Sequence, residues 1–308
     1  MDLVKDVSNK IRDLKIQGAT NIALKALEAI SDQIKILNPM SIQEALPLLD
    51  EMKRELFQSR PTEPAMRNGI KYLIYNVQRA EAKIQYKISE LVSGLAAKYI
   101  GLLENAKSKI QQVGSNRIVD GLTVMTHCHS SVVSGIIIKA FEQGKKFDVV
   151  CTETRPLYQG HITAMELSEK GVPTTLIVDS AMRWAIQQKE VDLIIVGADA
   201  ITSEGVVINK IGTRLLALAA EEYNVPFYVA TPIFKFAPET VVGNLEKIEM
   251  RKPEELWAEP PKSLIVENPA FETVARKYIH GIITELGIIP PSYLYGAAME
   301  KYPFIFIE

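Results

Sequence analysis

Apolar residues recur at helical spacing through the first part of the chain, to about residue 115. Ser41–Glu44 has the form of a capping box, in which a serine hydroxyl and a glutamate carboxylate accept free amides at a helix start. The apolar positions that follow it are Ala45, Leu48, Leu49, Met52 and Leu56. The pattern stays helical from Glu63 to Gln112, with mild breaks at Gly94 and Gly101. Residues 1–118 are therefore predicted to form an all-helical domain.

The pattern changes at Gly121, where short apolar runs begin to alternate with amphipathic stretches. Runs typical of buried strands are Leu122–Met125, Phe147–Cys151, Thr174–Val178, Asp192–Val196 and Pro226–Ala230. Helical stretches lie near Val132–Gln143, Gly160–Lys170, Ala181–Gln188 and Ile211–Tyr223. Strands separated by single helices indicate βαβ units, so residues 119–308 are predicted to be a Rossmann-like α/β domain with a mainly parallel sheet. The part from Phe234 onward is richer in proline and is expected to wrap the sheet.

Composition is that of a globular protein and excludes several functional classes. Of 308 residues, 47% are hydrophobic and 23% are charged, which excludes disordered, collagen-like and coiled-coil chains. With 37 acidic and 35 basic side chains the net charge is −2, which argues against nucleic-acid binding by phosphate neutralisation. The start, Met1–Asp6, is charged, and no window approaches the roughly 20 apolar residues that span a membrane. Cys128 and Cys151 are too few for a disulfide framework, so the chain is predicted to be cytoplasmic.

Reactive residue types concentrate in the loops that follow the predicted strands. Open parallel sheets bind ligands beyond the carboxyl ends of their strands, so these loops are expected to form an active site. They are Thr126–Ser131, Glu153–Pro156, Asp179–Ser180, Gly197–Ala200, and Thr231–Pro232 with Lys235 nearby.

Cys128 has two interpretations, between which its position does not decide. A free cysteine is most often a buried and inert thiol. Cys128 also lies between a strand end and the next helix, where unpaired amides favour a thiolate and lower the pKa of the thiol. His127 and His129 flank it, but successive strand residues point to opposite faces and no second ligand cluster stands at metal spacing. No metal site is therefore predicted.

Asp199 also has two interpretations. As a helix N-cap it would be structural. Next to the apolar run Leu193–Val196 its pKa can rise, which would suit a general acid near neutral pH. Ten residues later, Asn209–Thr213 is expected to open a helix whose amides, together with Lys210, suit a phosphate. This loop is neither a P-loop nor a GxGxxG motif, so ATP and NAD are not expected and no cofactor is predicted.

Two segments of the helical half are further candidates for anion binding. Gln17–Thr20 has the pattern of a loop that leads into a capped helix, with free amides at its start. Ser59–Thr62 places Arg60 beside a rigid proline, which suits bidentate phosphate binding. The alternative for both is an ordinary connection between helices. Together with Lys210 and Lys235 they indicate a substrate with anionic ends, such as two phosphates.

Four motifs together resemble one superfamily, in order and over nearly the whole chain: Thr126–Ser131, Glu153–Pro156, Gly197–Asp199 and Asn209–Thr213. The superfamily comprises the regulatory subunits of translation initiation factor 2B, the methylthioribose-1-phosphate isomerases and the archaeal ribose-1,5-bisphosphate isomerases. Tyr158–Gly160 and Gly287–Pro291 make the chain most similar to the last of these.

The resemblance implies an intramolecular aldose–ketose isomerase that converts ribose 1,5-bisphosphate into ribulose 1,5-bisphosphate, with Cys128 as base and Asp199 as acid. The eukaryotic regulatory subunits keep the Asn209–Thr213 stretch without this pair, so the presence of both favours an enzyme. A homo-oligomer, a hexamer built from dimers, and activation by AMP are further implications. The substrate-binding residues that the resemblance implies are Gln17, Gly18, Ala19, Thr20, Arg60, His129, Ser130, Ser131, Arg155, Asn209, Lys210 and Lys235.

The chain departs from the family pattern in two places. Gln17 stands where the family has arginine, so one cation for a substrate phosphate is missing. Met66–Asn68 replaces a Ser-Leu-Pro-Asn-like segment, and Arg67 is a candidate to compensate for Gln17. These departures keep two alternatives open. One is a regulatory subunit of an archaeal translation initiation factor 2B-like complex, and the other is a methylthioribose-1-phosphate isomerase, whose substrate carries one phosphate.

Overall fold

A computed structural model describes residues 2–60, 63–80, 87–244, 246 and 248–306. The helices of its first half are Leu3–Arg12 (α1), Ala19–Leu37 (α2), Ile42–Ser59 (α3), Pro64–Arg79 (α4) and Ile88–Ser115 (α5). The helical prediction is confirmed with one correction: the stretch from 63 to 112 is two helices, and Gly94 and Gly101 lie inside α5 without ending it. Pro61 and Thr62, part of the predicted anion-binding segment, lie outside the described residues.

The capping box holds the start of α3 as its sequence indicates. The Ser41 hydroxyl accepts the Glu44 amide at 3.2 Å, and the Glu44 carboxylate accepts the Met40 amide at 2.9 Å. The carboxylate thus reaches one residue further back than a standard box. Helices α2, α4 and α5 bury their apolar faces together, with Leu27 and Tyr99 fully buried among them.

The second half forms a seven-stranded sheet, with neighbouring strands in the order β10-β9-β7-β4-β1-β2-β3. All of its neighbours are parallel except β9 and β10. The strands of this half are Thr123–Thr126 (β1), Asp148–Thr152 (β2), Thr174–Ile177 (β3), Leu193–Val196 (β4), Ala200–Ile201 (β5), Val207–Lys210 (β6), Phe227–Ala230 (β7), Phe271–Val274 (β8), Gly281–Thr284 (β9) and Gly287–Ile289 (β10). The helices are Ser131–Glu142 (α6), Gln159–Glu169 (α7), Met182–Gln188 (α8), Thr213–Glu222 (α9), Pro253–Leu256 (α10) and Leu294–Lys301 (α11).

The α/β class and the five predicted strands are confirmed, because β1, β2, β3, β4 and β7 all join the sheet. Two corrections concern what the pattern missed. The part after Phe234 does more than wrap the sheet, since it supplies β9 and β10. In addition, β5, β6 and β8 form a separate antiparallel sheet. Asn209 and Lys210 end β6 instead of opening a helix, and α9 begins at Thr213.

The two halves are joined by buried contacts. The Asn68 side-chain amide on α4 donates to the carbonyls of Phe234 and Phe236, both at 2.9 Å. Phe234 is buried in the helical core, where Tyr302 and Phe304 also pack. The division between residues 118 and 119 therefore stays a prediction. Among the described helices, none is both long and apolar enough to cross a membrane.

Candidate active site

A pocket of about 500 Å³ opens where the start of α2 meets the loops after β1 and β4. Its position follows the rule for parallel sheets, because the loops at the carboxyl ends of neighbouring strands converge there. Of the fourteen predicted site residues, thirteen line it: Gln17, Gly18, Ala19, Thr20, Arg60, Cys128, His129, Ser130, Ser131, Asp199, Asn209, Lys210 and Lys235.

Two arginines lie elsewhere. Arg155 is absent from the pocket lining, and its guanidinium donates to the Tyr158 hydroxyl at 2.6 Å and to the Leu256 carbonyl at 3.2 Å. Arg67 is buried in ion pairs with Glu246 and, at 3.7 Å, with Glu239. It therefore does not replace the positive charge that is missing at position 17.

Cys128 lies half-buried between β1 and α6. Burial raises the pKa of its thiol to about 11. The charge of the Lys210 ammonium lowers this pKa, and the charge of Asp199 raises it further. In this structure burial is the largest influence on the thiol and outweighs the helix start that the second interpretation invoked.

Alkylation of Cys128 by iodoacetamide is expected to become about tenfold faster per pH unit between about pH 7 and 9, because only the thiolate reacts and its pKa lies well above this range. Lys210→Met removes the ammonium that lowers this pKa, so alkylation should slow at every pH. Mass spectrometry of the modified peptides gives the rates. Cys151, whose pKa burial raises to about 12, serves as the internal reference. A rate that levels off within this range would contradict the raised pKa.

His127 connects the cysteine loop to the lysine loop. It is buried, and its Nδ1 and Nε2 lie 2.6 Å from the Thr152 hydroxyl and 2.8 Å from the Ile211 carbonyl. A carbonyl only accepts, so Nε2 carries the proton and Nδ1 accepts from the threonine. Burial lowers the pKa of His127, which favours this neutral form. Both ring nitrogens are thus used in fixing the loops that carry Cys128 and Lys210.

Asp199 connects β4 to β5, so the alternative of a helix N-cap is wrong. Its amide donates to the Ile208 carbonyl at 2.9 Å, while its half-buried side chain lines the pocket. Beside it, Lys235 Nζ donates to the Ala198 carbonyl at 2.5 Å. Lys235 sits on the turn that Asn68 holds, so helix α4 places this cation next to Asp199.

Phe271 holds two cations of the pocket. Its ring centre lies 4.8 Å from Lys210 Nζ and 5.6 Å from Arg60 Cζ. The β6–β8 pairing sets Phe271 opposite Lys210, and cations are attracted to aromatic faces at such distances. The ring therefore brings together a cation from each half of the molecule. Nothing in the sequence indicated Phe271, because its role depends on a partner strand about 60 residues away along the chain.

The expected phosphate cradle at the start of α9 is filled by a carboxylate. Glu272 accepts the amides of Gly212 at 2.6 Å and Arg214 at 3.0 Å. The side-chain amide of Asn209 donates to the Thr213 hydroxyl at 2.9 Å. This loop therefore offers the Lys210 ammonium to a ligand, while the amides of Gly212 and Arg214 are already paired with Glu272.

A charged segment that no sequence pattern indicated also lines the pocket. Glu249, Arg251 and Glu255 line it, and Arg251 pairs with Glu249 at 2.7 Å and Glu255 at 2.5 Å. Glu249 also lies 3.7 Å from Arg60 Nε. The helix in this segment, α10, is only four residues long, which is too short for an apolar repeat to single it out.

Glu63 is a second missed carboxyl, which lies beneath Arg60. It is fully buried, and its nearest cation is Arg60 Nε at 4.0 Å. Burial raises the pKa of Glu63 to about 7, although the positive charges of Arg60 and Lys235 oppose the rise. Burial therefore favours the protonated form of Glu63 more than in an exposed carboxyl.

A parallel sheet whose carboxyl edge carries a pocket rich in lysine and arginine defines a protein that binds small anionic ligands. The chain belongs to the initiation factor 2 subunit family, whose sequence profile matches residues 15–291. The superfamily resemblance drawn from the motifs is thereby confirmed.

The similar proteins include both isomerases and a translation initiation factor. The chain is 42% identical to the ribose 1,5-bisphosphate isomerase of Archaeoglobus fulgidus over 311 residues, which covers 100% of this chain and 96% of that one. The solved translation initiation factor eIF-2B of Pyrococcus horikoshii has a TM-score of 0.80 and 30% identity, covering 94% of this chain and 97% of that chain. The 5-methylthioribose 1-phosphate isomerase of the same organism has a TM-score of 0.79 and 27% identity, covering 96% and 87%.

Proposed function

We propose that this protein is an isomerase that converts ribose 1,5-bisphosphate into ribulose 1,5-bisphosphate. The observation that carries the proposal is that one pocket contains Cys128, Asp199 and five cationic side chains. A thiol and a carboxyl supply the base and the acid that an aldose–ketose isomerisation needs. The archaeal relative of that name, 42% identical over the full length, supports the same substrate. The five cations are Lys15, Arg60, Lys210, Lys235 and Arg251.

The phosphate on C1 makes the chemistry demanding, because the sugar has no free aldehyde. In the proposed mechanism Asp199 protonates the ring oxygen, and the bond from this oxygen to C1 breaks. Cys128, as thiolate, removes the proton from C2 to give an enediol that keeps its C1 phosphate. The thiol returns a proton to C1 while the O2 proton passes to the Asp199 carboxylate, which leaves a C2 ketone and restores both groups.

Lys210 has two roles in this proposal. Its ammonium stabilises the negative charge that develops on the substrate oxygens, and it favours the thiolate of Cys128. Burial opposes the thiolate, so the charge of Lys210 is needed for the base to form. The Phe271 ring, 4.8 Å away, keeps the ammonium in the pocket without neutralising it.

Of the two alternatives, the regulatory subunit has one observation in its favour. Gln17 donates its side-chain amide to the Leu14 carbonyl at 2.8 Å and brings no charge, which fits a regulatory subunit with a relict or sensory pocket. Pull-down with purified translation initiation factor 2 tests this, and no complex at micromolar concentration counts against it. A methylthioribose-1-phosphate isomerase would bind one phosphate, whereas five cationic side chains favour two.

Phosphorus NMR of ribose 1,5-bisphosphate with the purified protein is the direct test. We expect ribulose 1,5-bisphosphate to appear with the wild type, and methylthioribose 1-phosphate to remain unchanged in a parallel sample. AMP added to a second sample tests the prediction of activation. No conversion with or without AMP would refute the isomerase and favour the regulatory subunit.

We further propose a homo-oligomer, with the hexamer as the expected state and the cytoplasm as its location. Large apolar side chains that are exposed on α7, on the edge strand β3 and directly after it support association. These are Ile162, Met165, Leu176 and Val178. Light scattering is expected to give about six times the chain mass of 34.3 kDa. A mass equal to one chain would contradict the proposal.

A further inference from the structure

Two residues without glycine's freedom adopt left-handed backbone conformations side by side. Cys128 has a φ of 69° and Thr154 a φ of 62°. They follow β1 and β2, which are neighbouring parallel strands with Thr126 opposite Cys151. Left-handed φ values are uncommon outside glycine and unusual for a β-branched residue such as threonine. Such strain persists only where the surroundings enforce it, and it concentrates at functional sites.

Threonine hydroxyls hold the backbone of Cys128 on both sides. Its amide donates to Thr154 Oγ1 at 3.0 Å, and its carbonyl accepts from Thr163 Oγ1 on α7, also at 3.0 Å. Both threonines are buried. The single hydroxyl proton of Thr163 is used on this carbonyl, so His129 Nδ1, 3.0 Å away, donates to Thr163. His129 must therefore carry a proton on Nδ1 to make this hydrogen bond.

Asp179 in turn holds Thr154. Its carboxylate accepts the amides of Thr154 at 2.8 Å and Arg155 at 2.6 Å. Asp179 follows β3, so the ends of three neighbouring strands are linked in one direction, from Asp179 to Thr154 to Cys128. None of these bonds involves the cysteine sulfur, which is left free for a ligand in the pocket that Cys128 lines.

We infer that Thr154 and Thr163, backed by Asp179, are positioning residues that fix Cys128 in its left-handed conformation and so aim its thiol at the substrate. The inference rests on the proposed role of Cys128 as the base. A base must lie within hydrogen-bond reach of the proton that it removes, and a side chain follows its backbone. Without either threonine, Cys128 relaxes to an ordinary conformation and the thiol moves away from C2.

The test compares valine and serine at both threonines. Thr154→Val and Thr163→Val should each lower kcat by about 10- to 100-fold, because the thiol moves. Thr154→Val should leave KM within about threefold, because the cationic residues and His129 stay in place. Thr154→Ser and Thr163→Ser keep the hydroxyl and should restore most of the activity. Thr174→Val, at the start of β3, is the matched control, since among the described residues its hydroxyl bonds only the Val172 carbonyl, at 2.9 Å. Its kcat should be unchanged.

Carbon NMR of protein labelled at cysteine Cα reports the conformation without turnover. The chain has only Cys128 and Cys151, so two signals are expected. The valine variants should shift the Cys128 signal and leave the Cys151 signal in place. Thr154→Ala replaces the valine variant if that one does not fold.

The two readouts separate the possible failures. An unmoved Cys128 signal would overturn the inference, and so would a moved signal with unchanged kcat. If the wild type does not convert the bisphosphate, the proposed function fails, while the Cys128 signal still decides whether the threonines set its backbone.

Discussion

Cys128→Ser is expected to lower turnover of ribose 1,5-bisphosphate by about 10³-fold or more, because a serine hydroxyl is too weak an acid to give the base that removes the C2 proton. Serine has nearly the same shape as cysteine, and the bonds that hold this residue come from its backbone. Substrate affinity should therefore stay within about threefold of the wild type. Phosphorus NMR measures the turnover, and titration calorimetry measures the affinity.

Cys151→Ser is the matched control for this prediction. Cys151 is buried in β2, packed in the sheet core away from the pocket lining. Its replacement should lower the free energy of unfolding by about 1–3 kcal/mol, since a hydroxyl is buried among apolar groups, and leave kcat nearly unchanged. Comparable losses of turnover in both variants would mean that general destabilisation, and not the loss of a base, explains the effect at Cys128.

The parts of the fold that sequence predicted are those in which one segment determines its own structure. The strands from β1 to β4 are short apolar runs between helices, which is the pattern of a buried parallel sheet. Among the strands that were missed, β6 pairs with β8, which lies about 60 residues further along the chain, and nothing within Val207–Lys210 indicates this partner.

The candidate site was predictable to the extent that the sheet organises it. The loops after β1 and β4 converge because parallel strands end at the same edge, which placed Cys128 and Asp199 in one pocket. Contacts between distant segments could not be predicted. Glu272 on β8 accepts the amides of Gly212 and Arg214 at the start of α9, and Glu249 lies close to Arg60 although about 190 residues separate them in the chain.

The pKa of Cys128 shows the limit of reasoning from position. Proximity to a helix start predicts a lowered pKa, but only if the thiol faces the amides and keeps access to water. In the structure burial dominates the pKa of the thiol, and the largest opposing effect is the charge of Lys210. Both burial and the approach of Lys210 are properties of the assembled pocket, so no local motif could have indicated the sign.

Asp199→Asn is expected to lower turnover by about 10²- to 10⁴-fold, because an amide cannot protonate the ring oxygen. The same substitution should make Cys128 more reactive. The negative charge of Asp199 raises the pKa of the thiol, so removing it lowers that pKa and increases the thiolate fraction at any pH below it. Alkylation of Cys128 should therefore become faster while isomerisation is lost. Faster alkylation shows that the charge of Asp199 acts on the cysteine, and the loss of isomerisation separately tests its role as the acid.

Asp192→Asn is the matched control, because Asp192 is exposed at the amino end of the strand that Asp199 follows and accepts the Thr123 amide at 2.9 Å. It should leave both turnover and alkylation near the wild-type rates. If Asp199→Asn kept near-normal turnover, the acid in the pocket would have to be another group. The buried Glu63, which lies 4.0 Å from Arg60 and has its pKa raised to about 7, would then be tested as Glu63→Gln. If turnover and alkylation fell together, Asp199 would be holding the loop and not donating a proton.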